Sequence, residues 1–156
     1  MKKAIQHLID DAKTNKPVSE DPGDFIQGAA QVVEYYGIWP TFHDADYVAI
    51  HIDMNGPTVS INFRLYDWDE AADGANRPNI VLLWREVEEL NLSGIQELGQ
   101  NAIGRMEITQ MDDGIMTLIQ PTWDGTTAGF RAKSVEVTHF DPHKEWDYET
   151  RNTASD

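Results

Sequence analysis

Gly37-Ile38-Trp39-Pro40-Thr41-Phe42-His43-Asp44-Ala45-Asp46 packs a helix stop, two large aromatics, a proline and a His-Asp pair into ten residues. Gly37 can adopt the left-handed conformation that closes a helix, while Pro40 forbids helix continuation and pushes Trp39 into extended geometry. From Tyr47 onward the pattern alternates with period two. Thr41 to Asp46 is therefore the bridge from a helix to the first strand, and its polar side chains have a corner to satisfy.

Two helices are expected before this hinge. Ile5, Leu8, Ile9 and Ala12 recur at helical spacing, with Lys2, Lys3, Asp10 and Asp11 mostly off that stripe, which predicts an amphipathic helix over residues 3–13. Thr14-Asn15-Lys16-Pro17 ends it, and Val18 to Asp21 reads as a linker. Asp21 can then serve as N-cap, Pro22 as the first helical residue and Asp24 as the acid of the first turn. Phe25, Ala29, Val32, Val33 and Tyr36 line one face of a second helix, from about Pro22 to Tyr36.

After the hinge, Val48, Ile50, Ile52 and Met54 are expected on one face of a strand and Tyr47, Ala49, His51 and Asp53 on the other. Asn55-Gly56 supplies a turn, and Val59, Ile61, Phe63 and Leu65 alternate on the returning strand, so the two form a hairpin. Asp67 to Asn79 is a long polar connection, and a third strand is predicted over Ile80 to Leu92, with a bulge or two-sided burial at Leu82-Leu83-Trp84. Ser93-Gly94 opens an irregular or helical crossover through Ile95 and Leu98. A hairpin then turns at Asp112-Asp113-Gly114, with Ile115 to Gln120 returning. Asp124-Gly125 turns the chain again into a last strand from about Ala128 to Phe140.

These elements predict an α+β fold: two N-terminal helices followed by a mainly antiparallel sheet of about six strands built from hairpins. One domain spans residues 1–156, with 1–20 as helix and linker and 141–156 as a polar tail. A chain of this length can bury roughly 70% of its unfolded surface in a single core.

With no cysteine, disulfides, thiolate nucleophiles and Cys-based zinc sites are excluded. Gln6, His7, Asp10 and Asp11 interrupt any signal-peptide core, and the apolar run Ile80-Val81-Leu82-Leu83-Trp84 falls far short of the roughly 20 residues of a membrane span. A cytoplasmic protein is expected. The net charge is −15, and no Lys or Arg occurs between Pro17 and Phe63, where Glu20, Asp21, Asp24, Glu34, Asp44, Asp46 and Asp53 all fall. Such a field repels phosphate backbones and accelerates capture of basic partners, which argues against nucleic acid as a ligand. The plainer alternative is that the acidity serves solubility.

His43, Asp44 and Asp46 form the one cluster resembling a catalytic motif. A His-Asp pair is the nucleus of a class of metal-dependent phosphohydrolases, but that class sets further His and Asp ligands on helices. Here the chain turns to strands and offers His51, His139 and His143 at a distance, or His51 with Asp53 on one strand face. The competing reading is structural: the Asp accepts backbone N–H bonds in the turn while the imidazole packs beside Trp39 and Phe42. No serine lies in a nucleophile elbow, and Gly94, Gly99 and Gly104 lack the ending of a phosphate loop. For binding, Trp68 sits among acids in Asp67-Trp68-Asp69-Glu70, with Asp73 following. An aromatic ringed by charge on a long loop suits a hot spot against a basic partner, or else the ring simply covers the sheet edge.

The hinge from Gly37 to Asp46, running into Tyr47-Val48, resembles the Trp-Pro-Ser-Phe-His-Asp-Ala-Glu-Val signature of the immunity protein 50 family of bacterial polymorphic toxin systems. Thr41 stands where Ser is usual and Asp46 where Glu is usual. The resemblance continues in the spacing of Glu86 to Leu92, Gln100-Asn101-Ala102-Ile103 and Gly125 to Phe130, covering about residues 30–141. It implies a small cytoplasmic protein that binds and neutralises a cognate toxin, with no catalytic residues; stoichiometric occlusion without catalysis or cofactor is the leading reading, and the alternative is a metal-dependent hydrolase using His43, Asp44 and Asp46. Trp39, Pro40, Phe42, His43, Asp44 and Asp46 carry over as signature positions of structural role. The toxin-facing surface does not carry over.

Overall fold

The computed structural model describes residues 5–14, 17–65, 77–95, 102–123 and 125–142. The hairpin predicted after the hinge is present: β1 (Asp46–Asp53) runs antiparallel to β2 (Thr58–Arg64), with Ile50 opposite Ile61 and Ile52 opposite Val59. Asp53 Oδ1 accepts the Asn55 N–H at 2.8 Å and Gly56 sits at φ 83°, so the turn uses its Asx bond and its glycine as the sequence requires. The face assignment of β1 needs correction. A bulge between Tyr47 and Ala49 drops Val48 out of register, leaving it 45% exposed, and Tyr47 takes the core position against Phe63 instead. Ile52 and Met54 are exposed as well. The extra residue shifts the side chain before it, so Tyr47 joins the face of Ile50 and Ile52, which strict alternation cannot anticipate.

Two predicted strands are each a pair. Ile80 to Leu92 divides into β3 (Asn79–Arg85) and β4 (Glu88–Ser93), separated by Glu86 at φ 51° and by Val87, whose N–H donates to Pro57 O at 2.9 Å. Within β3, Ile80, Leu82 and Trp84 are buried in regular alternation; the irregularity lies opposite, where β8 (Ser134–Asp141) carries an extra residue between the partners of Val81 and Leu82. Ala128 to Phe140 likewise divides into β7 (Thr127–Ala132) and β8, with the Lys133 N–H between them donating to Arg85 O at 3.0 Å. The two breaks thus lie side by side.

Both breaks carry the chain from one sheet to the other. With β5 (Ile103–Met111) and β6 (Gly114–Pro121), the sheets have the orders β1-β2-β3-β8 and β4-β7-β6-β5, every pairing antiparallel. Strands that switch sheets at a bend make the corner of a two-sheet packing. The inner faces share one core, where Trp84 of β3 meets Phe130 of β7 edge-on at 5.1 Å. β6 is buried on both sides: Ile115 and Ile119 face the shared core, while Met116 and Leu118 face outward under Ile5 and Leu8. Those two residues belong to the start of the chain, where α1 (Gln6–Thr14) lies across the second sheet. A Cβ at Gly129 would come within 2.7 Å of Ile5 Cγ2, so glycine there lets the segment sit directly on β7.

The helix predicted from Pro22 to Tyr36 is also interrupted. Asp21 caps α2 (Pro22–Phe25) by accepting the Gly23 N–H at 3.0 Å, with Pro22 and Asp24 placed as expected, but the helix then stops. Gln27 instead adds to the edge of β8: its N–H donates to Val135 O at 3.2 Å and its carbonyl accepts from Val137 N at 2.8 Å. Gly28, at φ 78°, restarts the chain as α3 (Ala29–Tyr36), and Gly37, at φ 82°, ends it with its N–H on Val33 O. Pairing with the open edge of β8 satisfies backbone groups that a continued helix would have bonded internally. Val18 and Ser19 pair with Gln110 on the edge of β5, so residues 18–27 run from one sheet's edge to the other's. The described residues therefore hold three short helices and eight strands in two sheets, in place of the two helices and about six strands expected. No described helix is long and apolar enough to cross a membrane.

Tyr47 gives a test of this packing. Its hydroxyl is buried without a hydrogen-bond partner among the described residues, and burial pushes the phenol well above the usual tyrosine range. The unfolded chain ionises first as pH rises past about 10, so burial of the neutral phenol carries no ionisation penalty below that pH and costs stability above it. Tyr47→Phe is expected to leave the fold at neutral pH unchanged or more stable by up to about 1 kcal/mol, because an unpaired polar group goes. It should also flatten the alkaline fall. Thermal melts at neutral pH and above pH 10 check both, and identical alkaline slopes would refute the assignment.

Candidate functional site: the hinge corner and its groove

Phe42 and Asp44 both adopt left-handed backbone, at φ 63° and 64°. For a phenylalanine that costs roughly 1–2 kcal/mol. Burial offsets it: Phe42 is 3% exposed, and its ring stands edge-on to Phe63 at 5.1 Å and beside Trp39 at 5.8 Å. The kinked backbone is sewn to the start of β5, with Asp44 N–H donating to Ile103 O at 2.8 Å and Ile103 N–H to Ala45 O at 2.7 Å.

His43 Nδ1 donates to Gly104 O at 2.9 Å, and its Nε2 lies 3.5 Å from Asp44 Oδ2. Gly104 is skipped in the β5–β6 register, and a Cβ there would approach the Thr122 backbone at 2.8 Å. The bulge that presents this carbonyl to the imidazole thus depends on a glycine. Asp46 turns the other way. Its Oδ2 accepts from Arg77 Nη1 at 2.7 Å, while the same guanidinium donates through Nη2 to Asp44 O at 3.0 Å and through Nε to Leu65 O at 2.8 Å. Arg77 is 16% exposed and ties the hinge to both ends of the connection between β2 and β3, where Leu65 N–H also donates to Pro78 O at 2.8 Å.

His43, Asp44 and Asp46 are close in space, but Asp46 is turned onto Arg77 and His43 onto Gly104. Among the described residues no group of three or more His, Asp or Glu is placed to hold a cation; His51 and His139 sit on β1 and β8, at opposite edges of their sheet. His143 and the loop residues Asp67, Trp68, Asp69, Glu70 and Asp73 lie outside the described residues.

Trp39 and Pro40 leave the corner for the surface. Together with Pro22, Phe42, His43 and β5 they line a groove of about 630 Å³, and Trp39 also walls an adjoining hollow of about 520 Å³ that reaches Glu20, Asp21, Asp24 and Ile38. Ile38 is 68% exposed. Among the described residues Glu20, Asp21 and Asp24 have no cationic partner, and the one cation of the groove, Arg105, is paired with Glu107. A third hollow differs: there Glu89 and Asp113 face Arg131, and Lys133 donates to Asp113 O. Trp123, 82% exposed, stands in the β6–β7 turn next to Thr122, whose backbone abuts Gly104.

Sequence reasoning missed Arg77, Gly104 and Trp123. The first had a signal, being the sole cation between Arg64 and Arg85 and set beside Pro78 in an acid-rich connection. Gly104 and Trp123 gain their meaning from a contact between strands that the sequence does not display.

The class defined by these features is a small, strongly acidic α+β protein, dominated by two antiparallel sheets, whose His-Asp motif is bound into a backbone corner. The family model for Immunity protein 50 matches residues 28–143, well over half of the chain, and the chain belongs to that family. The match spans the hinge and nearly the same segment as the resemblance read from the sequence. No curated protein and no solved structure is significantly similar to the chain.

Proposed function

We propose that this protein binds and neutralises a cognate bacterial toxin by stoichiometric occlusion, in the cytoplasm and without catalysing a reaction. The observation that carries this reading is membership of the Immunity protein 50 family over residues 28–143. A net charge of −15 supports a basic toxin, such as a nuclease, because the acidic field raises the encounter rate with a cationic surface. In this reading Trp39, Pro40, Phe42, His43, Asp44 and Asp46 shape the corner, where the Trp39 ring is backed by Phe42, His43 bonds Gly104 O and Asp46 pairs with Arg77. The test is co-expression with the toxin encoded beside this chain, scored by growth rescue and recovery of a complex. A toxin that kills equally in the presence and absence of the protein refutes the pairing.

The acidic loop is a proposed contact within the same reading. Trp68→Ala combined with Asp69→Ala is expected to weaken capture about tenfold or more while leaving the melting temperature unchanged. Unchanged affinity with normal melting would remove Asp67, Trp68, Asp69, Glu70 and Asp73 from the interface.

A further inference from the structure

We propose that the groove between residues 20–24 and Trp39 is the seat of a basic segment of the partner toxin, with a Lys or Arg side chain laid along Trp39 and an apolar neighbour against Ile38; this rests on the toxin-binding reading above. Three observations converge. The first is shape: Trp39 forms a wall common to two adjoining concavities, and its ring is backed by Phe42, which is in turn fixed on Phe63. An anchor already held in place loses little freedom on binding.

The second is charge. Glu20, Asp21 and Asp24 rim the hollow without a cationic partner among the described residues, whereas in the hollow by Arg131 both Glu89 and Asp113 face that guanidinium. A guanidinium or ammonium entering beside Trp39 would meet the ring face and these carboxylates together. The third is the exposed aliphatic side chain of Ile38 at the lip of the same hollow. A second copy of this chain fits poorly, since it would bring another 15 negative charges to an acidic rim.

The experiment compares the full chain with Glu20→Lys/Asp24→Asn/Ile38→Ser, sparing Asp21 because it caps α2. A control, Glu86→Lys/Glu88→Lys, changes charge on the far hollow, and a third arm carries Trp123→Ala. The toxin domain encoded beside the chain is the probe, with affinity measured by calorimetry and contact mapped by hydrogen exchange. The groove variant should melt normally and bind about 100-fold more weakly or worse, with residues 37–43 protected by the toxin in the wild type. The control should fall less than about tenfold, chiefly in association rate. Equal losses in groove and control variants overturn the proposal, as does a loss confined to Trp123→Ala. Self-association of the wild type that the groove variant abolishes would assign the surface to a second copy and overturn it too. If the wild type does not bind the toxin at all, the neutralisation reading fails and this proposal falls with it; normal capture by the groove variant rejects the groove alone.

Discussion

Arg77→Ala is expected to destabilise the protein by about 3 kcal/mol, a drop in melting temperature of roughly 6–12 °C for a domain of this size. The guanidinium is mostly buried and serves four acceptors: the Asp46 carboxylate and the carbonyls of Asp44, Leu65 and Arg64. Truncation leaves them without their donor and strands a half-buried carboxylate beside the kinked hinge. Arg77→Lys keeps the charge but cannot fork to several acceptors, so it should recover only part of the loss. A double-mutant cycle with Asp46→Ala isolates the pair, and residues sharing a network should couple. Chemical denaturation that finds Arg77→Ala within about 0.5 kcal/mol of wild type would show that the hinge does not depend on this clamp.

Phe42→Ala should cost about 3–5 kcal/mol, the range for removing a buried aromatic, and should loosen Trp39 as well. Its diagnostic companion is Phe42→Gly. At most positions glycine is worse than alanine by roughly 0.5–1 kcal/mol, but at φ 63° alanine remains strained while glycine is relaxed. Phe42→Gly is therefore expected to be as stable as Phe42→Ala or more so. Urea unfolding of both variants decides it; glycine falling below alanine by the ordinary margin would mean that the left-handed backbone is not retained in solution.

The hinge shows why parts of this architecture were legible before any coordinates. Gly37 closes a helix and Asp46 opens a strand because those outcomes follow from φ preferences and side-chain period within a few residues. The Asp53–Thr58 hairpin and the turn at Asp112-Asp113 were readable on the same local grounds. The errors share another cause. Ile26-Gln27-Gly28 left the helical pattern because β8 had an edge to satisfy, Val48 turned outward because of a bulge, and two long apolar runs each bent between sheets. None of these is a property of the segment itself.

The candidate site divides in the same way. His43, Asp44 and Asp46 stood out as the one chemistry-capable cluster, and their setting between a helix stop and a strand favoured a corner over a metal site without naming the partners that hold them. Arg77 and Gly104, supplied by distant segments, complete the corner. The groove beside Trp39 arises where residues 17–24, the hinge and β5 come together from separate parts of the chain.

By itself the sequence determined the acidic character, the hinge, the hairpins and the family signature, because composition and short-range backbone preference are written residue by residue. Only the tertiary structure decided how many sheets those strands build, which partners hold His43 and Asp46, and where an aromatic groove opens. Edges, bulges and buried hydrogen bonds are settled between segments far apart in the chain, by whichever pairing leaves the fewest backbone groups unsatisfied.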